Sequence, residues 1–96
     1  MEINLTVIIK GKSEYREEVK SILKNLAENS KKEVACLQYD LHQNIDDPNF
    51  FILHEVWKNI EGLDLHKEQS HSLKFNEASE HFLEEKITVY ATSRIG

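Results

Sequence analysis

The chain has 96 residues, 40% of them hydrophobic, which suits a single domain spanning residues 1–96 near the lower limit for burying a self-sufficient core. The net charge is −5 and the basic residues are scattered among acids, which argues against a nucleic-acid partner. One cysteine excludes an internal disulfide, and no leader-like segment or membrane-length apolar run is present, so we expect a cytoplasmic protein with no membrane partner.

The first third of the chain predicts a strand followed by a helix. Residues 2–10 alternate with the period of a strand. Gly11 interrupts this pattern, Ser13 is a candidate N-cap, and apolar residues then recur at helical spacing, which predicts a helix over residues 14–29. The apolar face of the first strand consists of Ile3, Leu5, Val7 and Ile9.

A β-hairpin is predicted next. Residues 33–43 alternate again, residues 44–49 contain the turn sequence Asp46-Asp47-Pro48, and a third strand follows at residues 50–58. Strict alternation divides the second strand into one face with Ala35, Leu37, Tyr39 and Leu41 and another with Cys36, Gln38, Asp40 and His42.

The remaining elements complete the order βαββαβ, with a short helix near residues 61–66, a second helical segment at residues 71–82 and a last strand at residues 85–94. This order predicts a ferredoxin-like α+β subunit, in which helices cover one face of a sheet of four strands. The other face also needs a cover, and a second copy of the chain is the simplest one. The apolar residues assigned to that face are Ile8, Ile52, Val56 and Ile87.

Glu55 and Trp57 are two residues apart on the third strand, so both face the same side as Phe51 and Leu53. A carboxylate among such neighbours is desolvated, which raises its pKa unless donors satisfy it. Glu55 therefore either orients a pocket histidine or a substrate hydroxyl, or is a buried structural acid. Trp57 is either a core aromatic or part of a binding surface.

His66 and His71 are the most specific candidates for chemistry. Five residues on one uninterrupted helix turn two side chains about 140° apart, so both can face one cavity only if the helix breaks between them. Ser70 is a candidate N-cap for a new helix there. His71 then shares a stripe with Phe75 and other apolar residues, which places His71 against the pocket and His66 inside it or at its rim. Each histidine either moves a proton or is a satisfied interior residue.

No metal site is predicted, because no histidine pair has the spacing of a helical chelate and no CxxC motif is present. His54 and Glu55 point to opposite faces of their strand. Cys36 is expected to be an ordinary strand residue, since no basic group is placed to activate its thiol.

Five sequence features follow one another in a recognisable order: CLQYDLH at 36–42, DDPNFF at 46–51, EVW at 55–57, LDLH at 63–66 and a second histidine at His71. In these features the sequence resembles the antibiotic biosynthesis monooxygenase (ABM) family, and in particular its quinol monooxygenase-like branch. The Ser-Pro pair that often precedes this second histidine is Gln69-Ser70 here.

The resemblance implies a homodimer in which two sheets pack into a dimeric α+β barrel. It also implies a monooxygenase that uses no cofactor, neither flavin nor metal, and acts on a quinol-like or related small cyclic substrate with dioxygen. The electron-rich substrate, once deprotonated, reduces dioxygen itself. The residues implied for catalysis are His71, His66 and Glu55, and those implied for substrate binding are Asn4, Tyr39 and Trp57.

Two other functions remain open within this resemblance. The chain could be a non-catalytic or stress-related protein that binds a small ligand, or an isomerase of a small signal molecule. Haem degradation is disfavoured, because the haem-ligating histidine of that branch aligns approximately with Asn76 and its distorting tryptophan with His66.

Overall fold

A computed structural model describes residues 1–96 as a sheet of four antiparallel strands with helices on one face. Along the sheet the strand order is β2-β3-β1-β4, so the predicted βαββαβ ferredoxin-like arrangement is confirmed. The elements are β1 (Ile3–Lys10), α1 (Arg16–Ser30), β2 (Cys36–Gln43), β3 (Phe50–Trp57), α2 (Ile60–Lys67), α3 (Ser70–Phe82) and β4 (Thr88–Thr92), with one 3-10 turn at Ser13–Tyr15. None of the three α-helices has the length and apolar character needed to cross a membrane.

The core lies between the helices and one face of the sheet. β1 contributes its predicted apolar face, and β3 contributes alternate residues from Phe51 to Trp57. The helices bury apolar side chains against this face, because packing the apolar stripe of a helix on the apolar face of a sheet removes both surfaces from water. Fully buried side chains at this interface include Ile9, Leu23, Phe51, Leu53 and Trp57.

The opposite face of the sheet has no helix over it. Ile8 and Ile52 are paired across β1 and β3 on this face, and both are half-buried. Tyr90 on β4 is 57% exposed. We call this surface the outer face. Ile87, which the sequence assigned to the outer face, instead packs against the core, because it lies two residues before Val89, which pairs with the buried Val7.

A β-bulge changes the predicted faces at the start of β2. The register shifts between Cys36 and Gln38, so that Cys36 pairs with Trp57 while Gln38 pairs with Val56. Leu37 is displaced to solvent, where it is 52% exposed, and Cys36 packs against the core. The strict alternation assumed from the sequence therefore fails at these two residues, because a bulge adds one residue to the strand.

The helix boundaries also differ from the sequence prediction by a few residues. Ser13 belongs to the 3-10 turn and makes no cap, and α1 begins at Arg16. Ser70 is the first residue of α3 rather than its cap. The side chain that does cap a helix is Asn59, which accepts a hydrogen bond from the Gly62 backbone at the start of α2.

Gly62 sets how closely α2 approaches the start of β2. A side chain at this position would overlap Ala35, which precedes β2. The Ala35 carbonyl also accepts a hydrogen bond of 2.9 Å from the Lys58 backbone, just before α2. The close approach brings the α1–β2 loop next to α2, and this juxtaposition positions the candidate site.

Candidate active site

A partly enclosed cavity of about 150 Å³ lies between the core face of the sheet and helices α2 and α3. Its wall is mainly apolar, and its buried polar side chains are Tyr39, Glu55, His66 and Ser72. Val89 on the edge strand β4 is 48% exposed and belongs to the same wall, so the cavity lies close to that edge of the sheet. The apolar lining comprises Leu5, Val7, Leu26, Leu53, Leu63, Phe75, Ile87 and Val89.

Glu55 places a carboxyl group in this wall. It is 5% exposed, and the Trp57 indole Nε1 donates a hydrogen bond of 2.9 Å to its Oε1. Burial raises the pKa of Glu55; the Trp57 hydrogen bond opposes the shift, and the charge of Glu33 adds to it. Glu55 is therefore held by a neutral donor in a dry environment, which favours the protonated acid compared with an exposed glutamate.

Trp57 lies behind the cavity and is fully buried. Its ring centroid is 4.4 Å from that of His66 and 6.3 Å from that of Tyr39, which it meets edge-on. The indole thus supports two cavity residues by packing and a third, Glu55, by hydrogen bonding. Tyr39 itself lines the cavity, and burial followed by the charge of Glu55 raises the pKa of its phenol well above the usual range.

His66 lies in the cavity wall and is 8% exposed. Its Nδ1 is 2.6 Å from Oε2 of Glu33. A carboxylate only accepts hydrogen bonds, so Nδ1 carries the proton and, in the neutral ring, Nε2 is left as an acceptor. Burial lowers the pKa of His66, and the hydrogen bond and charge of Glu33 act against that shift.

His71 lies outside the cavity, in contrast to its predicted position against the pocket. Its Nε2 is 2.8 Å from the same Glu33 oxygen, and its ring borders a separate open groove between the α1–β2 loop and helices α2 and α3. The buried side of α3 passes through Ser72 and Phe75 instead. The break between α2 and α3 does bring the two histidines together, with ring centroids 5.8 Å apart, but only His66 reaches the cavity.

Asn4 is the sequence-predicted site residue that the fold places elsewhere. It pairs with Val56 on β3 and Thr92 on β4, and it alternates with the buried Leu5. Its side chain therefore belongs to the outer face, where the period of a strand must send it. Cys36 also takes no part in the site, because burial followed by the charges of Glu33 and Glu55 raises the pKa of its thiol to about 11.

Glu33 is the site residue that the sequence reasoning missed. It lies in the loop between α1 and β2, 33 residues from His66 and 38 from His71, and its side chain is 12% exposed. No local motif marks it, since the contact depends on how α2 packs on that loop. Together the three side chains offer two imidazole nitrogens and one carboxylate, the donor types that hold many transition metals.

The raised pKa of Glu55 predicts a pH-dependent effect of Glu55→Gln on stability. Because the folded-state pKa lies above the unfolded value, the contribution of Glu55 is fully present below the unfolded pKa and is lost as pH rises through the folded pKa. The amide still accepts from Trp57 but cannot ionise. We expect the variant to gain stability relative to the wild type as the pH rises above about 4, measured by urea unfolding.

Glu28→Gln, at an exposed position on α1, controls for the loss of one carboxyl charge. A Glu55→Gln variant that instead loses stability relative to the wild type as pH rises would contradict a desolvated carboxyl at this site.

Comparisons with known proteins give one consistent family. The family model described as "Antibiotic biosynthesis monooxygenase" matches residues 3–78. The protein named "Putative monooxygenase YcnE" of Bacillus subtilis is 32% identical over 90 residues, which cover 94% of this chain and 95% of that protein.

Solved structures match the same fold over nearly the whole chain. A protein of Pseudomonas aeruginosa superposes with a TM-score of 0.93 at 28% identity, covering 99% of this chain and 95% of the other. A structure from Nitrosomonas europaea, titled "Putative antibiotic biosynthesis monooxygenase", gives a TM-score of 0.91 at 23% identity, covering 98% of this chain and 90% of the other. The motifs, the fold and the family match agree, and the chain belongs to the antibiotic biosynthesis monooxygenase family.

Proposed function

We propose that this protein is a cofactor-independent monooxygenase that acts on a quinol-like substrate with a single ring. The observation that carries the proposal is the apolar cavity whose wall contains Glu55, Tyr39 and His66, with Nδ1 of His66 bound to Glu33. Family membership supplies the reaction class, and the lining supplies groups suited to a planar phenol. The remaining polar residues of the wall are Lys67, Ser72 and Asn76.

The size of the cavity supports a small ring. Its volume is about 150 Å³. An apolar cavity of roughly this volume holds one benzene molecule, whereas pockets for drug-sized ligands begin at about 300 Å³. A polycyclic anthrone or a haem would therefore require a larger opening between α3 and the sheet, so a monocyclic quinol is the favoured substrate.

The proposed chemistry begins with proton transfer to His66. Its Nε2 accepts a proton from a substrate hydroxyl, and Glu33 stabilises the resulting imidazolium through Nδ1. The Tyr39 hydroxyl and the protonated form of Glu55 can donate hydrogen bonds to the substrate anion in a wall from which water is largely excluded.

The substrate anion itself then reacts with dioxygen. The anion donates an electron to dioxygen, and the two radicals combine to form a carbon–oxygen bond. Cleavage of the oxygen–oxygen bond leaves one oxygen atom on the ring, and the other departs as water with the two hydroxyl hydrogens of the quinol. The product is a hydroxyquinone, so atoms and electrons balance with no external reductant.

The activity test compares His66→Gln with the wild type in oxygen-consumption assays against a panel of monocyclic quinols and anthrones. Removing a general base costs about 10²-fold or more, so kcat should fall by that factor with the monocyclic substrates. His81→Gln, at an exposed position on α3, is the matched control and should keep full activity. Far-UV circular dichroism checks that both variants are folded.

Two results would contradict the proposed function. One is a wild-type protein that binds quinols without consuming oxygen, as a small-ligand-binding protein would. The other is a His66→Gln variant that is folded and fully active.

We further propose that the outer face is the dimer interface. Ile8 and Ile52 lie at the centre of an uncovered sheet face, and apolar area of this kind gains free energy when a second copy covers it. The edge of the cavity at Val89 lies on the same strand as the exposed Tyr90, so a partner on this face would lie close to the cavity.

Sedimentation of the wild type at micromolar concentration should therefore give twice the chain mass of 11.2 kDa. Ile52→Lys places a charge at the centre of the proposed interface and should shift the protein to the monomer mass. Leu73→Lys, on the exposed side of α3, should leave the dimer intact. A monomeric, natively folded wild type would contradict the proposed interface.

A further inference from the structure

The groove beside His71 ends at a cluster of three potential metal ligands. Nδ1 of His66, Oε2 of Glu33 and Nε2 of His71 all lie within 4.8 Å of one another. Their side chains are only 10–12% exposed, so little water competes for the donor atoms. Each ligand comes from a different element, namely α2, the α1–β2 loop and α3.

We propose that this cluster is a binding site for a divalent transition-metal cation of the zinc class. Two imidazole nitrogens and one carboxylate oxygen form a donor set that binds zinc and similar ions, with the fourth position left to water. An oxygen-preferring ion such as magnesium is a poor match, because two of the three donors are nitrogen.

The donor atoms need only a small rearrangement to hold the ion. Around tetrahedral zinc, ligand atoms are about 3.3 Å apart, given metal–ligand distances near 2.05 Å. The contacts from Glu33 to the two histidines are 2.6 and 2.8 Å, so the carboxylate must withdraw by less than about 1 Å. The two histidine nitrogens lie within 4.8 Å of each other and must approach by up to about 1.5 Å. Glu33 lies in a loop rather than inside a helix or strand, and rotation of its side chain is the movement that this shift requires.

The groove provides the route for the ion. It has a volume of about 530 Å³, it is bordered by Glu33 and His71, and it is distinct from the cavity that His66 lines from the other side. An ion can thus reach the cluster without entering the proposed substrate cavity. The groove also has room for the water that completes the coordination shell.

Metal binding has a consequence for the cavity that rests on the proposed function. When Nδ1 of neutral His66 binds the metal, its proton moves to Nε2, so Nε2 becomes a donor and can no longer accept a substrate proton. Zinc would therefore inhibit the oxygenase. Binding itself does not depend on this step and is tested separately.

The binding test uses Trp57, the only tryptophan in the chain, as a reporter. Its ring centroid is 4.4 Å from that of His66, so a paramagnetic ion on His66 should quench its fluorescence. Titrating chelator-treated protein with Co²⁺ should give saturable quenching and visible absorption at one equivalent, and added Zn²⁺ should reverse both.

Variants then locate the ion. Glu33→Gln and His71→Asn should each weaken Co²⁺ binding about tenfold or more. His54→Asn is the control, because His42 and His54 form the chain's other close histidine pair, with centroids 5.5 Å apart on the outer face. This variant should bind like the wild type.

The proposal is overturned if the wild type binds no Co²⁺, if both site variants retain full affinity, or if His54→Asn loses the ion. Glu33→Gln is nearly isosteric and decides the question should His71→Asn fail to fold. Oxygen uptake with and without Zn²⁺ is measured last. Binding without inhibition would refute the proposed consequence for His66 while leaving the metal site intact.

Discussion

The site depends on one partly buried carboxylate, Glu33, and on the two imidazoles that donate to it. A desolvated carboxylate is unfavourable unless donors surround it, and His66 and His71 supply two short hydrogen bonds to a single oxygen. Those bonds connect the α1–β2 loop to both α2 and α3. They also place the ring proton of neutral His66 on Nδ1, so a residue outside the cavity lining sets the chemistry of one that lines the cavity.

Glu55 is held in a different way, and this difference gives the two carboxyl groups separate roles. A neutral donor, the Trp57 indole, donates a hydrogen bond to Glu55, and burial raises the pKa of Glu55. Glu33 instead faces two nitrogen donors that can carry positive charge. A carboxyl group with a raised pKa keeps its proton to higher pH than an exposed glutamate and can then donate to a substrate. A carboxylate between imidazoles can stabilise a proton on His66. Both environments follow from where the strands and loops place these residues.

Much of the fold could be predicted from sequence, because it follows from the local periodicity of apolar residues along the strands and helices. The alternation of β1 and the spacing of the helices identified the element order, and the pairing of Glu55 with Trp57 on one face was also predictable. The displacement of Leu37 was not, since a bulge follows from the pairing of two strands rather than from either strand alone.

The site was less predictable, because its geometry also depends on contacts between elements that are distant in the sequence. His66 and His71 were identifiable, but which of them faces the cavity depends on the angle between α2 and α3, which their spacing does not determine. Glu33 carried no signal, because its partners are more than 30 residues away. Asn4 was assigned by resemblance, and the period of β1 places it on the outer face.

The most direct test of this account is the tautomer of His66 in the metal-free protein. Long-range ¹H–¹⁵N correlation spectra of uniformly labelled protein at neutral pH distinguish a protonated Nδ1 from a protonated Nε2. The account predicts that His66 carries its proton on Nδ1 and that Glu33→Gln, whose amide can also donate, redistributes the proton toward Nε2. A wild-type His66 protonated on Nε2 would contradict the account, because that nitrogen could not then accept a proton from a substrate.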